Sequence, residues 1–146
     1  VSASADFKYL ETKIMTASKE ELTLITFDFL ILSATKALDK LVNTPHDIQG
    51  IHDDLRRGQR AIAVLMGSLN FEIGGELAVN LFRVYEFWHR QLVLANLQKA
   101  PERVERLLPF FKEYRTTWAE AQRRFRAEQK VIESGTAPDG SFAAVG

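Results

Sequence analysis

The chain of 146 residues contains no cysteine. Disulfides, thiolate metal sites and a cysteine nucleophile are excluded, and the composition fits a reducing compartment. Histidine is scarce, with three copies. Neither charge sign is in excess, because 19 basic residues balance 19 acidic ones. Nothing global therefore steers the protein to nucleic acid, to an anionic membrane or to a basic substrate. Long apolar runs are missing as well. The longest, LTLITFDFLIL from Leu22 to Leu32, is too short to span a bilayer and is interrupted by Asp28. The opening VSASADFKYLETK has no apolar h-region and does not read as a signal peptide. Strand alternation, low-complexity tracts and internal repeats are absent. A soluble, cytoplasmic protein is expected.

What the chain does have is helical period. Apolar residues make up 46% of it, enough for one packed domain. SKEE reads as a capping box, with Ser18 as N-cap and Glu21 at the third helical position. That helix should run to about Leu41. Pro45 is placed to open a second helix, whose stripe is Ile48, Ile51, Leu55, Ile62, Leu65, Met66 and Leu69. Arg56, Arg57 and Arg60 fall on its opposite face. The pair Gly74–Gly75 reads as the turn after it, with Gly74 left-handed and Glu76 at the start of a third helix. Leu77, Leu81, Tyr85, Trp88, Leu92 and Ala95 form the third stripe. Pro101 and Glu102 suit the start of a fourth helix, striped by Val104, Leu107, Leu108, Phe111, Trp118 and Phe125, with a kink expected at Pro109. The expected fold is all-α, an antiparallel up-down four-helix bundle in residues 1–133. A short N-terminal arm, 1–17, precedes it, and a flexible tail, 134–146, follows.

Chemical sites find little support. Glu86 and His89 make one Glu-x-x-His, but a bundle di-metal centre needs two such motifs and two more glutamates. His46 and His52 supply no second copy. Glu72 and Glu76 could pair for acid–base work, yet nothing nearby suggests desolvation, and Glu76 is explained by a helix N-terminus. No phosphate loop or serine elbow is present. The basic RRFRAEQK, Arg123 to Lys130, reads as a solvated helix end rather than a nucleic-acid site. No catalytic, metal or cofactor site is expected.

The anomaly is an excess of apolar faces. On the first bundle helix Leu24, Phe27, Leu30, Ile31, Ala34, Leu38 and Leu41 form one stripe. Leu22, Ile25, Phe29 and Leu32 form a second, where a bundle helix needs one. Phe82 with Val93, and Phe87 with Leu94, lie off the core stripe of the third helix. Such faces are covered by neighbouring helices, by a dimer partner or by a foreign helix in a groove. Phe7, Tyr9, Leu10, Ile14 and Met15 in the arm could fold over one of them as a displaceable cover.

YLETKIMTASKEELTLITFD, from Tyr9 to Asp28, resembles the N-terminal motif of the flagellar secretion chaperones, the FliS family. LNFEIGGELAVNLFRVYEFWHRQLVLAN resembles the family's central motif at Glu72, Gly74, Gly75, Glu76, Ala78, Asn80, Leu81, Tyr85, Leu92, Ala95 and Asn96. LLPFFKEYRTTWAEA resembles its final helix, with Trp118 in the familiar place. The chain departs from the pattern at Lys19, where proline is usual, and at Phe29, where glycine is usual. Thr26 and Phe27 replace the commoner Leu-Tyr. Phe29 sets a bulky ring on the second stripe, where it would narrow or reshape a groove.

The resemblance implies a cytoplasmic export chaperone. Such proteins bind the disordered C-terminal segment of flagellin, prevent its premature polymerisation and keep it competent for flagellar type III export. The residues expected to meet that partner are Leu22, Ile25, Phe29 and Leu32 on the first bundle helix, and Asn80, Phe82 and Val93 on the third. Tyr9 and Ile14 belong to the cover. The flagellar export gate is a second candidate partner. The competing expectation is a structural or assembly bundle that homodimerises through its extra apolar faces. Nucleic-acid binding and membrane insertion are not expected.

Overall fold

A computed structural model describes residues 2–135. Among them are five helices and no strand: α1 (Ser2–Thr16), α2 (Lys19–Asn43), α3 (Ile48–Gly67), α4 (Phe71–Gln98) and α5 (Pro101–Glu133). The N-terminal arm is thus itself helical. Most of the tail expected at 134–146 lies outside the described residues.

Local chemistry sets most boundaries. The Ser18 hydroxyl accepts the Glu21 amide at 3.3 Å and donates to the Glu21 carboxylate at 3.0 Å. Ser18 is thus the N-cap read from the sequence, and the Glu21 carboxylate returns to its hydroxyl. α3 begins later than Pro45, because the Asp47 carboxylate accepts the Gly50 amide at 3.0 Å and supplies the cap. Pro45 lies in the turn before it. Pro101 opens α5 as expected, and Lys99, left-handed at φ 50°, closes α4. α5 continues through Pro109.

The double glycine is not the turn. Asn70 caps α4 by accepting the Ile73 amide at 3.0 Å, so the chain has already entered α4 by Phe71. Gly75, rather than Gly74, carries the positive φ, at φ 51° and ψ −125°, and kinks α4 one turn after its start. Only glycine holds that backbone without strain.

α2 packs against α3 and α5, α4 packs against the same two helices, and α1 lies on α2. The core joins Phe27, Leu30, Ala37 and Leu41 of α2 to Ile51, Leu55, Ile62 and Leu65 of α3. Tyr85, Trp88 and Leu92 of α4 meet Val104, Leu107 and Phe111 of α5 in the same cluster. Trp88 is its aromatic hub, with ring centroids 4.9 Å from Phe111, 4.8 Å from Tyr114 and 5.4 Å from Tyr85. Burial pushes the Tyr85 phenol up, and a hydrogen bond donated by the Trp118 indole N–H offsets part of that rise. Gly58 lets α3 approach α4, since a Cβ there would stand 3.0 Å from Leu92.

Polar ties fix the register between helices. Buried Asp54 on α3 accepts Lys40 of α2 at 2.6 Å. Asp28, the one charge in the apolar run of α2, takes Arg115 of α5 through two nitrogens at 2.8 and 3.3 Å. Asn96 and the His52 ring meet at 2.9 Å across α3 and α4.

Candidate partner-binding surface

The two stripes of α2 part company in the fold. The first enters the core. Leu22 and Phe29 of the second face α1 and the edge of α3, where an apolar cleft of about 530 Å³ opens. Leu22, Thr26 and Phe29 of α2 form one wall, Ile14 and Glu11 of α1 another. Arg57, Arg60, Ala61 and Val64 of α3 complete it.

α1 lies against this region through few side chains. Phe7 and Leu10 are buried, at 6% and 8% exposure. The Phe7 ring stacks on Phe29 with centroids 5.8 Å apart, and the Arg57 guanidinium sits 4.6 Å from the Phe7 centroid. Phe29, one of the residues that depart from the pattern, is therefore a docking platform for α1. Its ring also lines the open part of the cleft.

A second apolar groove, about 480 Å³, lies between the start of α4 and the middle of α5. Leu77, Leu81, Tyr114, Trp118 and Ala121 line it. Leu77, assigned to the core stripe by spacing, is instead 65% exposed, because α4 has only just passed its kink. α5 is 33 residues long against 25 for α2, about 50 Å against about 37 Å. Its apolar stripe runs on accordingly, with Phe125 at 53% and Ile132 at 67% exposure.

The residues named from the sequence are distributed unevenly. Ile14, Leu22 and Phe29 come together in the cleft. Leu32 is half-buried further along α2. Ile25 is 3% exposed, so its side chain is not available at the surface in this arrangement. Tyr9 points outward on α1, with Lys13 Nζ 5.4 Å from its ring centroid. On α4, Asn80 is exposed and Val93 half-buried, while half-buried Phe82 meets Phe71 edge-on at 5.9 Å. These three do not line the cleft.

The contribution of α3 was missed. Arg57, Arg60, Ala61 and Val64 recur at i, i+3, i+4 and i+7, which is one helix face. From the sequence the arginines were placed only on the face opposite the apolar stripe. The Ala61–Val64 pair beside them was the available signal of a shared wall.

Glu86 is exposed and reaches Arg90 at 3.9 Å. Among the described residues no group of three or more acidic, histidine or cysteine side chains could hold a metal ion. No described helix is long and apolar enough to cross a membrane. Glu120 engages both Arg123 and Arg124, at 2.6 and 3.1 Å, so part of the distal basic run is neutralised locally.

A comparison with curated proteins returns no match. A family model described as "Flagellar protein FliS" does match, over residues 2–124. That span takes in all of α1 to α4, the cleft, and α5 past Trp118. The chain therefore belongs to the FliS family of flagellar chaperones.

Proposed function

We propose that this protein binds the C-terminal segment of flagellin in the cytoplasm, keeps it from polymerising and delivers it to flagellar type III export. The observation that carries this reading is the cleft on the second stripe of α2, apolar at its walls and only partly filled by α1. An amphipathic helix entering an apolar groove, with folding coupled to binding, matches such a surface. Ordering a disordered segment costs a few kcal/mol, so it needs a large contact area. The α4–α5 groove extends the area on offer. α1 is the displaceable cover, with Ile14 at its mouth and Tyr9 exposed for a partner to grip. Leu22, Phe29 and Leu32 form the α2 contact, and Ile25 joins it once α1 has moved. Asn80, Phe82 and Val93 are secondary contacts on α4.

The unit doing this is residues 1–133 as a single domain. The short links between α2, α3, α4 and α5 support an up-down antiparallel order. No chemistry is required of it, and no cofactor. The export gate is a further partner in this reading.

Calorimetry with the flagellin C-terminal peptide tests the proposal: absence of binding at high micromolar concentration sinks it. A homodimer is the second reading, favoured by exposed Phe125 and Ile132 on the projecting end of α5. Sizing decides it, because a strict monomer removes that reading.

A further inference from the structure

The cleft has a charge pattern as well as an apolar one. The face that α3 turns to it carries two cations, Arg57 and Arg60, beside two apolar side chains, Ala61 and Val64. Arg57 is engaged by the Phe7 ring and by Asp54 at 3.4 Å. Arg60 makes no ion pair among the described residues, and neither does Glu11 across the cleft.

The helix already seated here shows what the surface accepts. α1 places Phe7, Leu10 and Ile14 at i, i+3 and i+7, with Glu11 at i+4 lining the same cleft as the arginines. It is an amphipathic helix with one acid on the edge of its apolar stripe. A partner that displaces α1 meets the same two walls, so the same pattern suits it.

We infer that the cleft selects a partner helix whose apolar stripe carries an aspartate or glutamate at its edge, and that Arg60 is the residue that reads this carboxylate. The inference rests on the partner-site reading above. Arg57 keeps its pairing with Asp54 on α3 when α1 leaves, whereas Arg60 makes no ion pair among the described residues. An exposed ion pair contributes little. Beside an apolar wall that sheds water when the partner seats, the same pair contributes more, and a reversed charge repels. A partner helix with lysine or arginine at the matching position is disfavoured for the same reason.

The test uses the full chain and the C-terminal segment of flagellin as probe. Arg60→Glu sets a second negative charge in the cleft that Glu11 also lines, and any loosening of α1 would mask its effect. The comparison is therefore made in the Phe7→Ala chain, where the cover is already weakened. Phe7→Ala/Arg60→Glu is expected to bind roughly tenfold more weakly than Phe7→Ala, with a flatter salt dependence. Arg60→Lys in that background should keep most of the affinity. In the otherwise unaltered chain Arg60→Gln, which removes the cation without repelling Glu11, should bind a few-fold more weakly. Unchanged affinity and salt dependence across these chains would overturn the inference alone. No binding even by the unaltered chain would overturn the partner-site reading and this inference with it.

Discussion

Phe7→Ala should open the cover. Among the described side chains of α1, only Phe7 and Leu10 are buried, so the helix is held by two anchors. Removing the Phe7 ring forfeits about 2 kcal/mol of apolar burial. The stacking on Phe29 and the cation contact with Arg57 add about 1 kcal/mol together. A loss of about 3 kcal/mol shifts the docking equilibrium by roughly 150-fold. A 15-residue helix in isolation is marginal in water, so a released α1 should also unwind. Hydrogen exchange reads this directly: amides from Phe7 to Ile14 should lose protection by up to that factor, while those of the α2–α5 core keep theirs. Affinity for the flagellin segment should rise, by no more than the same factor, because the competing occupant is gone. Two results would refute the reasoning. One is an α1 that stays protected without Phe7. The other is a released α1 with unaltered affinity, which would place the partner elsewhere.

Asp54→Ala leaves Lys40 without its partner at a site where Asp54 is 2% exposed. Because the lysine itself is partly open to water, the expected loss is about 2–4 kcal/mol by urea denaturation. Gly75→Ala meets no neighbouring atom but must hold φ 51°, so a loss of about 1–3 kcal/mol is expected from backbone strain alone. A loss within measurement error would show that the kink of α4 relaxes freely. Hydrogen bonds from Arg123 hold the exposed Glu120 carboxyl down, at about 2, with Arg124 adding to the effect. Its carbon resonance should therefore titrate well below the ordinary value of 4.5. The stabilisation from this pairing is present above that ordinary value and lost as pH falls toward the depressed one. High salt should bring the midpoint back up, since the group is fully exposed.

Features encoded in neighbouring residues were legible in the sequence. The Ser18–Glu21 cap, the Pro101 start of α5 and the core stripes from Ile51 to Leu65 and from Tyr85 to Ala95 need only local periodicity to be read. Where two local signals competed, the stronger cap prevailed. Pro45 suits a first turn, but the Asp47 carboxylate caps α3 two residues later. Gly74–Gly75 suits a turn, but Asn70 starts α4 first and leaves Gly75 to bend it. Leu77 and Leu81 continue the core spacing of α4. The kink at Gly75, which single-helix periodicity does not register, leaves Leu77 outside the core.

The contact of α1 with α2 and the cleft beside it were only half legible, for a different reason. The second stripe of α2 announced that some element must lie on it, and the arm residues announced an apolar segment nearby. Which surface they share is settled by a third element, α3, remote from α1 in sequence. Arg57 reaches the Phe7 ring, and Ala61 with Val64 completes the wall. The asymmetry between the two faces of α2 then carries the functional argument. The core face is sealed by Phe27, Leu30, Ala34, Ala37 and Leu41 against two long helices. The other face is closed by two anchors on one short helix, and it leaves room beside them. Whatever displaces α1 thus works against a small part of the buried apolar area. It can seat on α2 while the packing around Trp88 stays intact.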